Sequence, residues 1–150
     1  MYPHPEVAAF VRTHFVPVRL HIKDHKEEYQ RVGALLNVQW TPTILIVDPP
    51  ASERHRIEGF LPVDDFLSQL KLGLAKTGFA RGQYADAERE YREIVERYPN
   101  TEAAPEAQYW AGVARYKATG DATALRDTAK RFTDRYKDSS WAKKASVWAA

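Results

Sequence analysis

The sequence predicts an α/β region followed by an all-α region, and three observations carry that reading. The run Thr43-Ile44-Leu45-Ile46-Val47-Asp48 is a short apolar segment bounded by Pro42 and by Asp48-Pro49-Pro50, which is the composition of a buried strand between breakers. Strand-like and helical runs alternate up to about residues 72 to 82, whereas every periodic segment beyond is helical and rich in alanine, arginine and glutamate. The second region also repeats itself: Gly82 is echoed 38 residues later by Gly120. The predicted domains are residues 1–76 and 77–150.

In chain order, Pro5 suits a first helical turn, and Val7, Phe10 and Val11 make one apolar face of a helix ending near His14. The segment Phe15 to Ile22 alternates apolar and polar residues, as a strand with one buried face does. Asp24 is a plausible cap for the next helix, whose inward stripe is Tyr29, Val32, Leu35 and Leu36 and which Asn37 ends. Pro42 has no N–H for a ladder, so it belongs at the mouth of the strand Thr43 to Asp48. Arg54 to Gly59 offers a more exposed hairpin partner. After Pro62 a helix begins, with Phe66, Leu67, Leu70 and Leu74 on one side.

Composition narrows the function classes. The 150 residues are 44% hydrophobic and 12% aromatic, enough to pack a core. Twenty-two Lys and Arg against 20 Asp and Glu are interspersed without a basic block, so nucleic acid is not an expected partner. No apolar run reaches the roughly 18 to 20 residues of a membrane span, and Met1 to Pro5 lack the pattern of a signal peptide; the chain as written reads as cytoplasmic. Cysteine is absent, which removes both disulfides and thiol chemistry. His14, His21 and His25 lack a common helix to hold a metal, so no metal site is expected, and Asp64-Asp65 sit where acids favour a helix N-terminus. No catalytic residue and no cofactor are expected.

The order helix, strand, helix, proline-led strand, strand, helix, together with Thr41-Pro42-Thr43 and with Gly59-Phe60 before the last helix, resembles the C-terminal two-thirds of the thioredoxin fold. The resemblance implies a cis Thr41–Pro42 bond in a loop whose backbone pairs with extended substrate, making Trp40, Thr41, Pro42 and Thr43 the candidate substrate-binding residues. Read from the residues alone, Pro42 is a trans proline opening a strand, and Trp40 is as readily a packing residue as a substrate platform.

In the second region Gly82, Tyr84, Ala87, Tyr91 and Pro99 stand at offsets that resemble the tetratricopeptide repeat, and Phe132 and Tyr136 then stand where Ile94 and Tyr98 stood. Ala107, Tyr109, Gly112 and Tyr116 mark the first helix of a second repeat, Trp141 to Trp148 a closing helix, and the helix from Val63 continues as the first helix of repeat one. The tyrosines and tryptophans of this half read mostly as interhelical packing, with a bound peptide as the alternative.

The thioredoxin family carries its Cys-x-x-Cys turn and one or two strands ahead of the helix placed at residues 5 to 14, and one of those strands lies between the two predicted here. The resemblance therefore implies an oxidoreductase that is redox-inactive in the form given, with a cysteine or selenocysteine segment encoded upstream of Met1. The competing reading is a non-catalytic module that holds a protein or peptide client on the thioredoxin-like platform and the repeats.

Overall fold

The computed structural model describes residues 4–150. Its helices are α1 (Pro5–His14), α2 (Lys26–Leu35), α3 (Val63–Ala80), α4 (Tyr84–Arg97), α5 (Ala103–Thr119), α6 (Thr123–Asp134) and α7 (Ser140–Ala145), the last followed by a 3₁₀ turn at Ser146–Trp148. The strands are β1 (Thr43–Asp48) and β2 (Ser52–Glu58). The chain divides into two compact units, residues 1–67 and 68–150, and the division falls inside α3.

In the first unit α1 has the proline at its start and buries Val7 and Val11, as its periodicity predicts. β1 and β2 form an antiparallel pair from Thr43↔Glu58 to Asp48↔Ser52, with an irregularity between Ile46 and Val47. Only Ile46 and Asp48 of β1 are buried, so the strand is half-covered rather than fully enclosed. Asp48 lies 3.3 Å from the Arg54 guanidinium across the turn, which compensates its burial.

Two sequence expectations fail here. Phe15 to Ile22 form no strand: the segment runs without ladder bonds, with Val16 93% and Val18 81% exposed. Alternation specifies which face a strand would bury, but a strand exists only against a neighbour, and among the described residues the sheet consists of β1 and β2 alone. Asp24 does not cap α2. His25 occupies the cap position with no side-chain bond to the helix, its Nδ1 accepting from His21 N at 3.1 Å, and Asp24 Oδ2 turns to His21 Nδ1 at 3.2 Å. The predicted stripe of α2 is correspondingly shallow, since no residue of the helix is buried and Leu35 is exposed.

In the second unit the repeat pattern becomes helical hairpins. Leu72 and Ala75 of α3, Ala87, Tyr91 and Ile94 of α4, and Ala103, Ala107, Ala111 and Ala114 of α5 form one buried cluster. The alanines let the helices approach while Tyr91 and Ile94 fill the space between them. Burial pushes the Tyr91 phenol well above its ordinary value, with Glu106 and Glu90 adding to the shift, so it stays neutral. The sequence echo is matched in three dimensions: Gly82 and Gly120 both end helices at positive φ, and Ile94 and Phe132 are both buried. Gly120 donates its N–H to Tyr116 O at 2.7 Å as the left-handed cap of α5. Tyr136, also at positive φ, donates its hydroxyl to Pro99 O at 2.6 Å and so ties the two repeat turns together.

Candidate functional site

The loop ahead of β1 holds the sequence-predicted site. Thr43 Oγ1 donates to Trp40 O at 2.5 Å, closing a tight turn around Thr41 and Pro42. Gly59 N donates to Pro42 O at 2.8 Å, which fastens the loop to the end of β2, and Gly59 takes φ 86°, a conformation that favours glycine. The Thr41–Pro42 peptide is cis, as is Pro49–Pro50. Thr41 is exposed, and among the described residues its backbone N–H and C=O make no hydrogen bond. Beside it the Trp40 side chain is 66% exposed, a large apolar surface for which packing offers no account.

Arg56 anchors the wall next to this loop, a feature that the sequence reading passed over. Its guanidinium donates to Leu36 O and, at 3.2 Å, to Asn37 O, the carbonyls left open where α2 ends. It also pairs with Glu53 at 2.6 Å and Glu58 at 3.4 Å. The hydrogen bond from Arg56 holds the Glu53 carboxyl below its usual range. An open depression of about 580 Å³ lies here, lined by Leu35, Gln39, Ala51 and this ion cluster. With one guanidinium between two carboxylates, it has no surplus positive charge to attract an anion.

The remaining candidates are dispersed. His14 Nδ1 donates to Phe10 O at 2.9 Å on its own helix, and His21 accepts no metal-like company beyond its contacts with Asp24 and His25. Among the described residues no group of three or more His, Cys, Asp or Glu could hold a metal ion. Asp64 and Asp65 lie in the first turn of α3, as their position after Pro62 implies.

The second unit presents a different surface. Rings at Tyr84, Phe79, Trp110 and Trp141 follow one another at centroid separations of 5.1, 5.4 and 6.5 Å. Tyr109 joins this row against Trp110 at 5.4 Å and stacks on Trp148 at 4.8 Å. All six are half-buried.

Residues 1–73 match the thioredoxin-like domain family, and residues 67–101 and 106–139 match the tetratricopeptide repeat family. The chain is a thioredoxin-like segment fused to tetratricopeptide repeats, and the repeats point to protein–protein interaction. Comparison with curated proteins and with solved structures finds no match. No helix among the described residues is long and apolar enough to cross a membrane.

Proposed function

We propose that this chain is a thioredoxin-like protein-binding module, redox-inactive in itself, that holds an extended polypeptide along the loop Trp40 to Thr43. The observation that carries the reading is the unbonded Thr41 backbone beside an exposed Trp40. Pro42 O is already taken by Gly59, so the donor and acceptor left for a ligand are those of Thr41. An extended peptide laid beside them exchanges main-chain hydrogen bonds there, and the Trp40 ring supplies apolar contact to a neighbouring side chain. Redox inactivity follows from chemistry: exchange needs a thiolate, and the sequence has no cysteine.

The experiment is hydrogen exchange with and without an S-carboxymethylated unfolded polypeptide, which offers extended backbone and no thiol. The expected result is slower exchange at the Thr41 amide, together with binding weakened about tenfold by Trp40→Ala. Unchanged exchange at residues 38–44 under saturating polypeptide would refute the assignment.

A second reading is favoured by the exposure of Val16 and Val18 together with a two-stranded sheet whose β1 has no second neighbour among the described residues. A longer polypeptide that adds a strand and a Cys-x-x-Cys or selenocysteine pair would cover such apolar residues and make the whole an oxidoreductase. The test is the DNA ahead of Met1, where roughly 40 to 50 codons in frame should encode an apolar strand of about 5 to 6 residues and then a Cys-x-x-Cys or an in-frame UGA. A frame lacking both removes this reading and leaves the binding module.

A further inference from the structure

Two stretches of the first unit carry backbone groups that a single chain leaves unpaired. In β1 the hydrogen bond from Gly59 N to Pro42 O fixes the phase of the ladder. Counted from it in the register Thr43↔Glu58, the backbone groups of Ile44 and Ile46 face β2, and the N–H and C=O of Thr43 and Leu45 point to the opposite edge. Among the described residues neither Thr43 nor Leu45 makes a further backbone hydrogen bond, and β1 has no second neighbour. Thr43, Leu45 and Val47 also share the less covered face of the strand, with Val47 40% exposed. An apolar strand with such an edge is a template for another strand.

The second stretch lies between α1 and α2. Val16 to Leu20 make no backbone hydrogen bond among the described residues, and Val16 and Val18 are 93% and 81% exposed. In an extended chain the backbone groups of Val16, Val18 and Leu20 point to one edge and those of Pro17 and Arg19 to the other. Pro17 has no N–H, so the continuous ladder edge is that of Val16, Val18 and Leu20. Pro17 then stands on the outer edge, where it blocks the addition of a further strand. Extended, this stretch spans about 17 Å, against about 20 Å for β1.

We infer that two copies of this chain form a symmetric dimer in which Val16 to Leu20 of each protomer adds as a strand to the open edge of β1 of the other. The occupant is a second copy because every chain carries both halves of the pairing, matched in length and in apolar alternation, and joins them by no bond of its own. A two-fold axis makes both ladders at once, and the outer-edge prolines close the assembly at two. Laid in the direction that puts Val16, Val18 and Leu20 on the face of Leu45 and Val47, the added strand takes the exposed valines out of water. Main-chain hydrogen bonds carry the affinity, as in other cases of strand addition. No side chain of the Trp40 loop takes part.

The test is sedimentation equilibrium of the whole chain from about 1 to 200 µM, where a monomer and dimer should exchange with a Kd of about 10 µM. Amide exchange should slow with protein concentration at Val18 and Leu45 and stay constant at Ile44, whose N–H already faces β2. Val18→Pro deletes an N–H of the inner edge and should weaken the dimer by about tenfold or more, whereas Arg19→Pro deletes one of the outer edge and should leave it unchanged. Both positions are exposed and outside any helix or strand, so circular dichroism should show the same helix content in both variants and the wild type. Trp40→Ala, which tests polypeptide binding, should leave the dimer intact. A monomer throughout the range, a dimer that survives Val18→Pro, equal weakening by the two prolines, loss of the dimer in Trp40→Ala, or association that continues beyond two copies would each overturn the inference.

Discussion

Gly112 on α5 lies so close to Thr128 on α6 that a Cβ at position 112 would overlap Thr128 Oγ1 and stand 2.8 Å from Thr128 Cβ. Both residues are buried, and Thr128 Oγ1 is fixed by donating to Ala124 O at 2.7 Å. The contact sets how near the two helices of the second repeat can come. Gly112→Leu should therefore cost about 1 to 3 kcal/mol through overpacking and lower the melting temperature by several degrees. Adding Thr128→Ala should recover part of the loss, because the two positions share one contact. An unchanged melting temperature in Gly112→Leu would show that the helices are not held together there.

Arg56 gives a prediction confined to the first unit. It bonds the open carbonyls of Leu36 and Asn37 while Glu53 and Glu58 hold it in place. A guanidinium can serve several acceptors at once where an ammonium cannot, so Arg56→Lys should loosen the end of α2 nearly as much as Arg56→Met. The measurement is amide exchange over residues 33–38, including Val38 N, which donates to Gly33 O at 2.8 Å. Exchange there should accelerate in both variants and stay unchanged in β2. Equal exchange in wild type and Arg56→Met would mean that the cluster is only surface decoration.

How much of this was legible in the sequence depends on whether a signal is local or needs a partner. α1 and β1 coincide with their predicted spans because a proline at one end and a breaker at the other act within a few residues. The repeat register was legible for the same reason, since Gly82 and Gly120 are needed wherever those helices turn. Phe15 to Ile22 failed because strand formation is a property of a pair. The aromatic residues were legible as a set but not by environment: Tyr91 and Tyr98 are core, while Tyr109 and Trp110, on the same expectation of packing, are half-buried. Helical spacing assigns a residue to a face, and only the neighbouring helices decide whether that face is covered. At the candidate site, Trp40 to Thr43 could be picked out by composition, whereas Arg56 reaches 20 residues back to Leu36, a separation that no local pattern encodes.

Catalysis by this chain can be tested directly. Disulfide exchange proceeds by attack of a thiolate on a disulfide sulfur, and the only sulfur in the sequence belongs to a single methionine. A thioether has no acidic proton and cannot form the mixed disulfide. Reduction of a protein disulfide by dithiothreitol should therefore proceed at the same rate with and without the protein. A rate that rises in proportion to protein concentration would contradict this, provided the preparation is free of thiol by colorimetric titration.

The last prediction concerns acid. On α4, half-buried Glu93 accepts from Lys71 of α3 at 3.1 Å and from Arg97 at 3.1 Å. Partial burial on its own would raise its carboxyl, but the hydrogen bonds from Arg97 and Lys71 and their charges outweigh that, and its pKa falls below the ordinary 4.5. A carboxyl whose pKa is lower folded than unfolded binds more protons when unfolded, so it stabilises the fold at neutral pH. That contribution is fully present above the unfolded value and disappears as pH falls through the folded one. Denaturant melts of wild type and Glu93→Gln should accordingly differ most at pH 6 to 7 and converge as pH falls through and below about 4. The gap should also narrow at high salt, because the Glu93 side chain is 43% exposed and its partners are screened. A gap that persists undiminished well below that range would mean that Gln at position 93 acts through helix propensity or packing instead of through the lost charge.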